Sequence, residues 1–331
     1  MAGVGNTYLT LVDLFRQTEG DGDIADIIEI LAQKDEMIAD APVFECNDGG
    51  GHLTSIRTGY PTPTWTALYQ GVQPTKGTTT QVRDTTGMLE DWSEIDSRLV
   101  KKARNPAKFR MNEGKAHWHG MMNEVASTLW YGNTATDPEK FLGLHYRFND
   151  TTAGNGGQIV KGDGAGSDNT SIWFITWGEN SCHFIYPEGS KGGLQREDFG
   201  EDIKENSDGT LYKVFREHFQ WDIGLSLRDW RGVARVCNID VSNLTADASS
   251  GTDLIDKMID AYYKLDNPNQ PEGNTVIYAG LTVSKFLHKQ AANKSNVHLD
   301  LEEFAGKKVT TFLGHPIRRS DAILETEATI S

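Results

Sequence analysis

Several groups in this sequence have the residue types for chemistry, and each lacks a deciding partner. Asp198-Phe199-Gly200 matches the magnesium-binding triplet of protein kinases. A kinase also needs a His-Arg-Asp catalytic loop and an upstream glycine-rich loop, and the 331 residues contain neither. Gly162-Asp163-Gly164-Ala165-Gly166 opens like a phosphate cradle, but Ser167 stands where the third glycine belongs and no helical pattern follows. Glu19-Gly20-Asp21-Gly22-Asp23 imitates the start of a calcium loop, with Ile24 at the sharp-turn glycine and Ile30 at the bidentate glutamate. His117 and His119, two apart on a helix, diverge by about 200° and cannot share a metal as an i, i+4 pair does. They are expected as one surface and one interfacial histidine.

The carboxylates Glu197/Asp198 and Glu201/Asp202 suit acid-base work, but adjacent acids in a glycine-containing stretch predict a solvated surface. Glu179 and Asp229 would be the acids of a hydrolase reading, tested by turnover of Asp229→Asn. No Gly-x-Ser-x-Gly nucleophile elbow occurs. Cys46, Cys182 and Cys237 are too few and scattered for a disulfide framework or a Cys-x-x-Cys metal site, and are expected as reduced thiols. The aromatic runs Trp173-Phe174-Ile175-Thr176-Trp177 and Phe219-Gln220-Trp221 would suit a sugar-binding platform, though consecutive large apolar residues favour a strand buried on both faces. The expectation is therefore a non-enzyme with no catalytic, cofactor-binding or metal-ligating residues.

Asp and Glu total 47 against 32 Lys and Arg, a formal charge of -15. That balance disfavours autonomous nucleic-acid binding, which needs surplus cations, but is compatible with a container enclosing DNA. The hydrophobic fraction of 37% allows a sizeable core. The first 14 residues lack the basic region and apolar run of a signal peptide. No stretch approaches the roughly 18 apolar residues of a membrane span. The chain is expected to be made in the cytosol and to have no membrane partner.

The elements that would position such groups follow from periodicity. Residues 3–22 suit an arm with a short sticky patch, and Ile24, Ile27, Ile28, Leu31 and Ile38 mark an amphipathic helix over 23–39. From 47 to 95 the texture turns to Gly, Thr, Pro and Gln, predicting extended strands. A single hairpin with limbs of roughly 20 residues would span about 60 Å, against a radius of gyration of about 20 Å for a compact chain of this length. Such a ribbon is marginal alone and has to rest on neighbouring subunits. Trp118, Met121, Met122, Val125 and Leu129 predict a strut helix over 113–131, stopped by Gly132-Asn133. A loop is expected over 151–169. Strands follow at 171–177, 182–186, 211–227 and 232–241, broken by an acidic stretch at 189–209. Thr252 is expected to cap a helix carrying Leu254, Ile255, Met258, Ile259, Tyr262 and Leu265 on one face. A strand near 276–278, a helix over 283–293 and strands near 308–313 and 316–318 complete the chain.

This order of textures resembles the major capsid proteins of tailed phages, in particular the epsilon-15-like short-tailed group, which share the Hong Kong 97 capsid fold. The residues that carry it run from about 8 to 325. They include the stretch from Arg57 through Tyr60-Pro61 to Trp65, then Gln70 to Val82 and Gly87-Met88-Leu89-Glu90. Further along come Phe109-Arg110-Met111, Ala126 to Asn133, Trp221 to Arg231, Arg235 to Asp240 and Phe312 to Ile323. The resemblance implies an α+β fold with an N-terminal arm and helix over 1–44, an extended β-hairpin loop over 45–104 that overlaps a neighbour, a peripheral domain with its spine helix over 105–250, and an axial domain with C-terminal tail over 251–331. In the commonest chain order the Gly-x-Pro-Ile strand precedes a pair like Phe174 to Tyr186; here the pair comes first, implying a permuted element order. It further implies self-assembly into hexamers and pentamers of an icosahedral shell in the virion. Expected partners are portal, scaffold and cement proteins, with double-stranded DNA held by non-specific enclosure. Lys76 lies in the loop, and nothing in the sequence names a crosslinking partner for it. The alternative reading is a tail or baseplate protein with a carbohydrate-binding sheet.

Overall fold

The computed structural model describes residues 9, 35–49, 51–246, 251–266, 268, 273–293, 299–304 and 307–330. The expected arm at 3–22 apart from Leu9, the calcium-like loop and most of the helix expected over 23–39 lie outside them. That helix is represented by its end, α1 (Met37–Asp40), which leads into β1 (Val43–Glu45). β2 (His52–Gly59) and β3 (Thr78–Asp84) pair antiparallel as a separate two-stranded sheet. β4 (Thr86–Asp96) and α2 (Ser97–Lys102) then lead to α3 (Pro106–Tyr131), the longest helix described. After α4 (Leu144–Arg147) come β5 (Ile159–Lys161), β6 (Asn169–Trp177), β7 (Cys182–Tyr186), β8 (Gln195–Glu205), β9 (Leu211–Leu227) and β10 (Val233–Asp240). The last part holds α5 (Leu254–Tyr262), β11 (Asn274–Ala279), α6 (Leu281–Asn293) and β12 to β14 (Leu299–Phe304, Lys307–Phe312, His315–Arg319).

One large mixed sheet organises the body, in the order β12-β13-β14-β11-β6-β7-β9-β4, with β8 on β9, β10 on β6 and β1 on β7. Every residue of β6 is buried, and the strand's period of two divides its apolar side chains between two cores. Trp173, Ile175 and Trp177 join Met121, Val125, Leu129 and Trp130 of α3, while Ile172 and Phe174 meet Leu254, Ile255 and Met258 of α5 and Val283 and Leu287 of α6. The aromatic run is thus a core strand and presents no ring face to a sugar. Strands on either side of residue 250 share this sheet, because β6 pairs β11 along the full length of β11. In chain order β6 and β7 precede the Gly314-His315-Pro316-Ile317 segment that leads into β14.

Several expectations change. The hairpin is shorter than limbs of roughly 20 residues: β2 and β3 have 8 and 7, and β4 belongs to the main sheet. β-branched texture marks extended chain but does not say which strand it pairs with. The acidic stretch at 189–209 contains an eleven-residue strand, β8, whose carboxylates meet cations from the spine helix and from β9. The loop expected over 151–169 includes a 3₁₀ turn and β5. α3 starts at Pro106 rather than 113, with Asn105 Oδ1 accepting from Lys108 N at 3.1 Å and proline at the first turn, where its missing N–H costs nothing. Trp118 is half exposed, so the expected stripe is buried only from Met121 onward, while Phe109 is buried one segment earlier against Leu99 and Val100. The cap of α5 is Asp253, not Thr252. Gly132 ends α3 without a left-handed φ; it is needed because a Cβ there would lie 2.3 Å from Phe141 O.

Candidate assembly surface

The hairpin is an arm anchored at a buried carboxylate. Asp84 ends β3, is 4% exposed, and accepts from Arg147 Nη1 at 2.8 Å and from the Leu227 amide at 3.1 Å. Arg147 Nη2 also donates to Leu225 O at 3.1 Å, so one ion pair ties the arm root to the end of β9. Gly51 makes the entry possible: its φ is +154° and a Cβ would meet Asp84 O at 2.3 Å. Beside it lie two buried imidazoles, His52 and His183, edge to face with centroids 5.5 Å apart. His183 Nδ1 lies 3.3 Å from Gly178 O, and neither nitrogen of His52 nor His183 Nε2 has a partner. Burial, reinforced by Arg228, holds both below the usual histidine range, His183 at about 4.

Beyond this root the arm projects about 25 Å at the usual strand rise, and residues 60–77 form its tip without regular pairing. The tip is apolar and unpacked: Trp65 and Tyr69 are as exposed as free side chains, and Tyr60 and Leu68 nearly so. Tyr69 holds a left-handed φ of 66° within a turn closed by Gln70 N on Ala67 O at 3.2 Å, a conformation that costs a bulky residue about 1 kcal/mol. Exposed aromatics on a strained turn mark a contact surface.

β4, β9 and β8 make a three-stranded ribbon with two different faces. Toward α3, Arg110 reaches Glu217 at 2.5 Å and Asp198 at 2.7 Å, Arg196 reaches Glu217 at 2.8 Å, and His117 Nδ1 lies 2.5 Å from Asp91. His117 also stacks on Phe219. The outer face carries Trp92, stacked on His218 and Phe199 at 4.1 and 5.7 Å, ringed by Arg216 with Glu94 and Asp202. A second buried cluster fastens the C-terminal segment: Arg235 pairs with Glu327 at 2.8 Å, stacks over Trp173 and donates to Phe148 O, while Tyr131 OH donates to Glu327 at 2.6 Å.

The sequence candidates are placed by these contacts. Asp198-Phe199-Gly200 is a β-bulge in β8, Gly200 taking φ +72° and Asp198 held below the usual carboxylate range by Arg110. Glu201 is held at about 2 by Lys101 and Ser97 of α2, and Asp202 pairs with Arg216 across the strand, so Glu197, Asp198 and Glu201 lie on the solvated face expected of them while three of the four acids also hold ion pairs. The Gly162 and Gly164 amides donate to Cys237 O and Asn238 O and are occupied as sheet extensions rather than free for a phosphate. Asp229 is engaged with Arg231 at 2.7 Å and Glu179 lies against Arg228. Cys182 is pushed up to about 12 by burial. Among the described residues no three His, Cys, Asp or Glu side chains converge as a metal site, and no helix is long and apolar enough to cross a membrane. Sequence reasoning missed Asp84, Arg147, Arg235 and Glu327, which carry no local motif.

An arm rooted on the body but with an unpacked tip, a spine helix across a mixed sheet and charge-knit ribbon strands describe the Hong Kong 97-like capsid fold. A sequence model of major capsid protein GP7 matches residues 19–331, and the chain belongs to that family. In the near-atomic cryo-EM structure of bacteriophage Epsilon15, a chain 43% identical aligns over 100% of this chain and 99% of its own, with a TM-score of 0.82. A chain of the bacteriophage JBD30 capsid aligns over 89% of this chain and 93% of its own at 10% identity and a TM-score of 0.48. A search of curated proteins finds no match.

Proposed function

We propose that this major capsid protein self-assembles into hexamers and pentamers that tile an icosahedral phage shell around double-stranded DNA, each subunit laying its arm over a neighbour. The carrying observation is the arm tip, whose aromatic side chains are fully exposed on a strained turn and have no place to pack within the chain. An acidic subunit suits a container: it encloses DNA without binding it tightly. Stability then belongs to many repeated interfaces. The protein acts structurally, within the virion, with portal, scaffold and cement proteins of the same phage as partners. The working layout assigns 1–44 to the arm and helix, 45–104 to the extended loop, 105–250 to the peripheral domain and 251–331 to the axial domain and tail, in permuted order. The last two are joined through the β6–β11 pairing.

Because β4 belongs to the body, the test removes the tip alone. Replacing residues 60–77 by a short turn is expected to leave a folded, soluble subunit that forms no shells in negative-stain micrographs. Normal particles from that variant would overturn the reading.

A further inference from the structure

Between β4 and the C-terminal half of α3 lies an apolar cleft of about 180 Å³, lined by Met88, Leu89, Val125, Phe141 and Ile223. An apolar cavity of about 150 Å³ accepts a benzene ring, so this one has room for one aromatic side chain. Its charged lining is net acidic: Lys140 is paired with Glu124 at 2.7 Å, and Glu139 is a further carboxylate beside them. The arm has the opposite character. From residue 49 to 83 the sequence has no Asp or Glu in a chain of net charge -15, and Arg57 and Lys76 flank the tip.

We infer that the cleft is the seat for a second copy's arm tip, with Trp65 as the inserted side chain and Lys76 or Arg57 answering the surplus carboxylate in its lining. The inference rests on the reading that arms overlap neighbours, and adds where they land. The chain's own tip is excluded as occupant, since Trp65 and Tyr69 are wholly exposed. The outer ribbon face is a poorer seat for a cationic arm, because Glu94 and Asp202 there are already matched by Arg216 and Lys204. A tryptophan in a desolvated pocket ringed by charges is the usual anchor of an interface.

Thr66→Cys with Met88→Cys tests the placement while keeping Trp65; the three native cysteines are buried. After oxidation of assembled shells, the double variant is expected to run as a ladder of linked subunits on a non-reducing gel, with Met88→Cys alone running as monomer. Intact shells whose subunits stay monomeric would overturn the cleft as the seat while leaving arm overlap standing. A charge exchange supplies an independent readout. Glu139→Lys and Lys76→Glu are each expected to cut shell yield about tenfold, and the two together to restore it. Failure of the double variant to recover while both singles fold would also overturn the inference. Normal shells from the tip-deleted chain would instead remove the parent reading.

Discussion

Arg235 and Glu327, 92 positions apart, form an ion pair with both side chains essentially out of solvent. The pair closes the subunit, because Glu327 lies in the C-terminal segment and Arg235 in β10 of the central sheet. Two ring systems and three backbone contacts hold it: Trp173 under the guanidinium, Tyr131 on the carboxylate, Phe148 O as a further acceptor, the Glu327 amide on Asn169 O, and Asn238 on the Ile330 backbone.

Glu327→Gln is expected to destabilise the unassembled subunit by about 3–5 kcal/mol, since it strands a buried guanidinium. Urea denaturation measures it. Replacing both partners by methionine should cost less than Glu327→Gln alone; equal or larger loss would show that the pair itself, not the stranded charge, carries the stability.

Asp84→Ala should loosen the arm at its root while leaving the tip unchanged. Limited trypsinolysis is expected to cleave several-fold faster after Arg83, with cutting after Arg57 and Lys76 as in the parent chain. Unchanged cleavage at Arg83 would mean that the β2–β3 pairing alone holds the root.

The His183 ring is buried neutral, with its acidity at about 4 against 6.5 in an unfolded chain. Between those values the unfolded chain binds the extra proton, so stability is present above pH 6.5 and is lost as pH falls toward 4. The full loss from this one group is about 3 kcal/mol. His183→Gln should flatten that fall; denaturation midpoints at pH 7 and pH 4.5 would show it, and identical pH dependence of the two proteins would assign the effect elsewhere.

Gly132→Ala places a methyl within 2.3 Å of Phe141 O and 2.7 Å of Thr128 O. Its backbone angles suit any residue, so the cost is steric. A drop of about 1–3 kcal/mol in subunit stability is expected, with helicity by circular dichroism unchanged. A neutral substitution would mean that the 132–143 turn moves freely.

Elements whose physics is local can be read along the chain. The run Trp173 to Trp177 has too many consecutive apolar residues for a one-sided strand, and the structure buries all of β6. The Thr, Gly and Pro texture from 47 onward has no core of its own, and the arm tip packs on nothing. The spine helix was legible where it touches the sheet, at Met121 to Leu129, and illegible at 106–112, where a lone buried apolar residue, Phe109, packs on Ile95, Leu99 and Val100 and Arg110 pairs with ribbon carboxylates. Tertiary structure alone decided where charge is cancelled. Asp198 and Glu201 are solvated as their setting suggests, but that they and Asp202 are paired with Arg110, Lys101 and Arg216 is visible only once the chain is folded. Asp84 and Glu327 likewise acquire their roles from Arg147 and Arg235, 63 and 92 residues distant. Periodicity along a chain reports which face is apolar. An ion pair depends on a distance of a few ångströms between residues remote in sequence, and only the folded sheet sets that distance.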